Sequence, residues 1–202
     1  MRRRRFKVEL TFSNNLRAAY LTELVRSFEK FYPNGFLGRT AIQKLTYFAR
    51  AIGVPIPCSF EIYNYGPYSD QVTFTVDGLL ADEVFRDTSP NSSKYSNYRL
   101  AGARVVFPQE LEKQVAPFGP QIAAVVKNLG NFRPEQLELI ATLHFVHHRQ
   151  AALGKRPTQS SVIAEFSRIK GDKFEKSEVT NWYGALRRAG LVEAASPFRA
   201  AV

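Results

Sequence analysis

Apolar residues recur at helical spacing from Leu16 to Phe31, where Leu16, Tyr20, Leu21, Leu24, Val25, Phe28 and Phe31 are interleaved with Arg17, Glu23, Arg26 and Lys30. That pattern predicts an amphipathic helix, ended by Pro33-Asn34-Gly35. Thr40 stands three residues before Gln43, a capping-box arrangement at the start of a second helix. Ile42, Leu45, Phe48, Ala49 and Ile52 form its buried stripe, and Gly53 to Pro57 stops it. Phe60 to Tyr65 alternates as a strand does, and the Gly66-Pro67 step then changes direction. Proline in a first turn loses no hydrogen bond, so a third helix is expected from Pro67 to Leu80. Val84-Phe85 and Tyr95 to Leu100 flank the polar turn Ser89-Pro90-Asn91-Ser92-Ser93, which is a hairpin signal.

The region from Phe107 to Gly130 carries two short apolar segments, Leu111 to Val115 and Ile122 to Leu129, punctuated by Pro117 and Gly119-Pro120. Helical spacing then resumes after Pro134, with Leu137, Ile140, Ala141, His144 and Phe145 on one stripe. Thr158 is placed to cap a helix burying Val162, Phe166 and Ile169. Ser177 is placed to cap the last helix, which buries Val179, Trp182, Tyr183 and Leu186 and ends at Gly190. Leu191-Val192 follows as a short strand candidate. The pattern divides the chain into a basic arm (1–15), a winged-helix-like module (16–106), a helical connector (107–133) and a second winged-helix-like module (134–202). The expected fold class is mainly α with minor β, built from winged-helix-like parts with a short β-hairpin.

Composition narrows the partners. With 45% hydrophobic and 13% aromatic residues, the chain can bury a core and is not a disordered polypeptide. No apolar run approaches the ~20 residues of a membrane-spanning helix, and Arg2 to Arg5 lead into polar sequence and not an apolar signal core, so a cytoplasmic protein without a membrane partner is expected. The lone Cys58 excludes an internal disulfide framework and reads as a small buried residue. The formal net charge is +10, with Arg2, Arg3, Arg4 and Arg5 forming a basic tail and the remaining basicity densest towards the C-terminus. Such a balance favours an anionic partner, nucleic acid above all, and argues against an acidic surface that imitates DNA.

Catalytic signatures are missing from the pattern. Glu61, Asp70, Asp82 and Glu83 fit no recognised carboxylate spacing, and neither a nucleophile elbow nor a glycine-rich phosphate loop occurs. His144 and His148 have the i, i+4 spacing of paired metal ligands, with His147 beside them. The intervening His-Phe-Val-His-His lacks the glutamate of a metalloprotease helix, and His144 falls on the apolar stripe. Neither an enzyme, a metal nor a cofactor is expected. The nucleic-acid reading falls on the last helix and its approach, with Lys173, Lys176, Arg187 and Arg188 for phosphates, Asn181 as base reader, and Arg2 to Arg5 as either a phosphate-binding arm or a solvated tail. The helix after Pro67 carries no basic residue and suits phosphates poorly. Tyr63, Tyr65 and Tyr68 offer an aromatic surface for bases or for a protein partner, or pack between helices.

Three segments carry a family resemblance: Gly38-Arg-Thr-Ala-Ile-Gln-Lys-Leu-Thr-Tyr-Phe48, Tyr65-Gly-Pro-Tyr-Ser69, and the stretch from Leu137-Glu-Leu-Ile-Ala-Thr142 to Lys170-Gly-Asp-Lys-Phe174. Together they resemble the YwgA-like family, itself akin to the Panacea and SocA-type antitoxin domains and to the C-terminal domain of the DarG antitoxin. The resemblance implies a small helical fold without an established catalytic centre, in a setting of toxin neutralisation, phage defence or transcriptional control. Two functions are therefore expected as alternatives. One is a regulatory module that binds nucleic acid, DNA first; the other is a protein-interaction module that neutralises a toxin or acts as an adaptor.

Overall fold

The computed structural model describes residues 14–90, 93–102 and 107–192. Asn15 accepts the Ala18 amide and so opens α1 (Leu16–Phe31), whose apolar face, Tyr20, Leu21, Leu24, Val25 and Phe28, is buried. Helix α2 (Arg39–Ala51) follows. Its N-cap is Gly38 and not Thr40, and Gln43 is turned inward to the backbone of Ser69. A side chain at Gly38 would crowd the Phe36 ring and the Ser96 carbonyl, so chain entry at this point requires the smallest residue. The α2 stripe is buried through Ala49, whereas Ile52, expected with it, lies past the helix end and is 40% exposed.

The Gly66-Pro67 step departs from expectation. It begins no helix; it is the second strand of a tight hairpin, β1 (Glu61–Tyr63) paired antiparallel with β2 (Gly66–Tyr68) in the register Ile62 to Pro67. The two-residue reversal over Asn64-Tyr65 is closed by Gly66 at φ +83, a left-handed conformation that glycine alone takes cheaply. Pro67 is tolerated because this two-stranded sheet is all edge. Helix α3 (Asp70–Ala81) starts three residues later, when the Ser69 hydroxyl accepts the Val72 amide. The one hairpin expected from the sequence is present as β3 (Phe85–Asp87) and β4 (Tyr98–Leu100).

Helix α4 (Gln109–Val115), a 3-10 turn (Ala116–Phe118) and α5 (Gly119–Leu129) lie against α1. Then comes α6 (Pro134–Ala152), the long central helix, begun by the expected proline. Against it pack α2, β2, α7 (Gln159–Lys170) and α8 (Lys176–Arg188). Thr158 caps α7 as its spacing predicts, and Gly190 at φ +68 follows the end of α8. Ser177 sits inside α8, whose N-cap is Glu175, and Leu191-Val192 form a turn and no strand.

The described residues are thus mainly helical with two small two-stranded sheets. Its buried apolar side chains, from Ala18 in α1 to Val192, belong to one cluster. Burying each Leu, Phe or Val contributes roughly 1.5–3 kcal/mol, and Leu137, Leu139 and Leu143 of α6 are wholly enclosed. Cys58 lies in the same core, and burial pushes its thiol up to about 11.

Candidate nucleic-acid interface

The three segments that carry the family resemblance meet in space, around the carboxylate of Glu138 on α6. Gln43 of α2 grips the end of the β1–β2 hairpin with both ends of its amide. Its Nε2 donates to the Ser69 carbonyl at 2.9 Å and to Thr73 Oγ1 at 3.0 Å, while its Oε1 accepts the Ser69 amide at 3.0 Å. One residue on, the Lys44 ammonium donates to the Pro67 carbonyl at 2.7 Å. Lys170 at the end of α7 donates to the Asn64 carbonyl at 2.7 Å and pairs with Glu138 Oε1 at 2.9 Å. Lys173 reaches both Glu138 oxygens at 2.8 Å and lies over the Tyr65 ring. Thr142, one turn beyond Glu138, donates to the Glu138 carbonyl, and a Cβ at Gly66 would come within 2.4 Å of its Oγ1.

This arrangement is a polar hub pinning the hairpin onto α2, α6 and α7. Lys44 is 1% exposed, and burial lowers its pKa to about 7, with nearby Lys170 pushing the same way and Glu138 opposing. Burial also lowers Lys170, against the pull of Glu138. A single buried carboxylate balances these amines, and removing it would leave uncompensated charge in the interior.

Beside the hub, Tyr63 and Tyr65 stand 65% and 62% exposed. Tyr68 is half-buried, its hydroxyl sharing a 2.7 Å hydrogen bond with Thr73 Oγ1. All three tyrosines line one shallow cleft of about 560 Å3 together with Glu61 and Asp70.

The histidines are tied separately. His144 Nδ1 shares a hydrogen bond with Tyr47 Oη at 2.7 Å, His147 Nδ1 with Tyr183 Oη at 2.9 Å, and His148 Nε2 donates to the Leu191 carbonyl at 2.9 Å. Burial lowers the pKa of all three, that of His147 to about 4. Among the described residues no group of three His, Cys, Asp or Glu is placed to hold a metal.

The basic residues predicted at the C-terminal end divide into two groups. Lys173 is engaged by Glu138, its ammonium directed into the hub and not toward a phosphate. Lys176, Asn181, Arg187 and Arg188 are exposed on α8, Asn181 and Arg188 opposite the buried Val179, Tyr183 and Leu186, Lys176 and Arg187 flanking Tyr183. No ion pair holds Lys176, Arg187 or Arg188 among the described residues. A Cβ at Gly184 would approach Arg188 Nη1 at 3.4 Å. Arg2 to Arg5 lie outside the described residues. Arg156, which sequence reasoning missed, sits before the α7 cap and lines a cleft together with Arg187 and Arg188. The only local signal was the Lys155-Arg156-Pro157 run, which helical periodicity ignores.

Helices α6, α7 and α8 pack on one another, and α8 carries Lys176, Arg187 and Arg188 as exposed residues. The chain is similar to the uncharacterized protein YwgA of Bacillus subtilis (strain 168), with 22% identity over 128 residues, 61% of this chain and 74% of that protein. No protein-family profile matches the chain. Among the described residues no helix is long and apolar enough to cross a membrane.

Proposed function

We propose that this chain is a non-catalytic regulatory protein that binds nucleic acid, double-stranded DNA first, through the exposed residues of α8. The observation that carries the reading is the set Lys176, Arg187 and Arg188, exposed and without ion-pair partners among the described residues, on a helix that Val179, Tyr183 and Leu186 anchor in the core. Lysine and arginine on such a helix neutralise phosphates, and Asn181 between them has the amide that pairs with an adenine edge. The kinship with Panacea, SocA-type and DarG antitoxin domains belongs to the same proposal, as does a role in toxin neutralisation or phage defence. The test is duplex binding followed by fluorescence anisotropy at several salt concentrations. Affinity is expected to fall with salt with a slope of ~0.9 per neutralised phosphate. Absence of binding to duplex and to single strands at low salt sinks the proposal.

A second reading draws on a different observation. The exposed Tyr63 and Tyr65 and the carboxylates of Glu61 and Asp70 line one cleft on a hairpin that the hub holds fixed. An aromatic, acidic cleft suits a basic segment of a protein partner better than a nucleic acid. Co-purification with the product of an adjacent gene, abolished by Tyr65→Ala without loss of melting temperature, would favour this reading. A partner retained by Tyr65→Ala would exclude this cleft as its docking site.

A further inference from the structure

Between the end of α6, the start of α7 and the C-terminal half of α8 the surface sinks into a cleft of about 960 Å3. Small-molecule sites occupy roughly 300–1,000 Å3, so the space suits a ligand of nucleotide size. Among the described residues its charged lining has one sign: Arg156, Arg187 and Arg188 face it, and no carboxylate does. None of the three enters an ion pair among the described residues. Guanidinium groups gathered in one concavity repel one another until an anion lies between them.

The first turn of α7 opens into the same cleft at Thr158. The Thr158 hydroxyl takes up the Ser161 amide at 3.1 Å, and the remaining first-turn amides stand at the positive end of the helix dipole. A separate observation comes from the cleft wall. His147 is 4% exposed, its Nδ1 is engaged with Tyr183 Oη, and its Nε2 has no partner among the described residues. Buried polar atoms are normally partnered, so an open one in a cationic cleft marks a place for a ligand atom. When Tyr183 is the donor to Nδ1, the ring proton is on Nε2, which then donates to a ligand.

We propose that this cleft binds the phosphate groups of a small phosphorylated ligand, held by Arg156, Arg187, Arg188 and the α7 N-terminus, with His147 donating from the wall. The site goes beyond the nucleic-acid surface, because Arg156 and His147 are not on α8. Arg187 and Arg188 are common to both, so an occupied cleft competes with a bound strand.

The test is calorimetric titration of the full chain with pyrophosphate and with ATP at low salt. Saturable one-to-one binding is expected, weakened about tenfold in Arg156→Ala through loss of a charge-assisted contact. His147→Gln should weaken it in the same direction. Circular dichroism melting checks both folds, and Arg156→Ala alone decides the matter if His147→Gln fails to fold. ATP binding much more tightly than pyrophosphate assigns a free nucleotide as the ligand. Equal affinities assign phosphate recognition alone, supplied equally by a strand backbone. No saturable binding up to about 10 mM, or an Arg156→Ala protein that binds as the wild type does, overturns the proposal. Pyrophosphate binding that survives while duplex binding is absent leaves the cleft standing and removes only the nucleic-acid reading.

Discussion

Around Glu138, Lys44, Lys170 and Lys173 are drawn inward until their ammonium groups end on protein oxygens. Along α8 and in the cleft beside it, Lys176, Arg187, Arg188 and Arg156 reach no carboxylate among the described residues. The two regions share the same residue types, and Lys173 and Lys176 are three positions apart. What separates them is how their donors are filled. A cation whose hydrogen bonds are satisfied inside the protein contributes to architecture, whereas one facing water is available to a ligand. A net charge of +10 therefore overstates the surface available to an anionic partner.

The sharpest way to break that comparison is to remove the carboxylate at the centre of the hub. Glu138→Ala leaves buried amines without a counter-charge and should destabilise the fold by ~3–5 kcal/mol, read from urea denaturation. A loss below ~1 kcal/mol would show that the lysines find water instead and that the hub is no anchor. Next comes Gly66→Ala, which places a Cβ against Thr142 Oγ1 in a left-handed backbone position. A cost of ~1–3 kcal/mol is expected. Adding Thr142→Ala should return part of it, so the double variant loses less than the sum of the two.

The pH dependence follows from bases whose folded pKa values lie below their unfolded ones. Between about 4 and 6.5 the unfolded chain binds more protons at His147, and His144 and His148 act in the same direction, so stability falls as pH falls through that window. From about 7 upwards Lys44 behaves alike, since its amine is neutral in the fold and still charged in the unfolded chain, and stability rises with pH. Melting curves should show both limbs, and Lys44→Met should flatten the upper one. A wild-type protein equally stable at about pH 5 and about pH 7 contradicts the histidine account. The smallest effect belongs to the outer side of α8, where Arg188→Ala should change stability by no more than ~0.5 kcal/mol. A larger loss would mean that this arginine is structural after all.

Much of the architecture was legible in the chain because it depends on neighbours. The α1 stripe, the Pro134 start, the Thr158 cap and the Gly190 stop are each signalled within a few residues. The hub was not legible, because its hydrogen bonds join residues far apart; Lys170 and Asn64 are 106 positions distant. For the same reason Gln43 read as half of a capping box and Lys173 as a surface cation. Gly66-Pro67 was misread because a proline after a turn residue serves a helix start or an edge strand equally well. The reach from Lys44 to the Pro67 carbonyl, invisible locally, accompanies the strand. The candidate interface was half legible. The basic residues of α8 are close together in the sequence, while Arg156 comes to Arg187 and Arg188 only through the packing of α7 on α6 and α8.

The most direct test of the proposed division of labour is duplex DNA anisotropy with the wild type, the Arg187→Ala/Arg188→Ala double variant and Tyr65→Ala, all checked for unchanged melting. Salt-dependent binding that drops at least about tenfold in the double arginine variant and is retained by Tyr65→Ala is the expected result. Equal binding by the wild type and the double variant would contradict it.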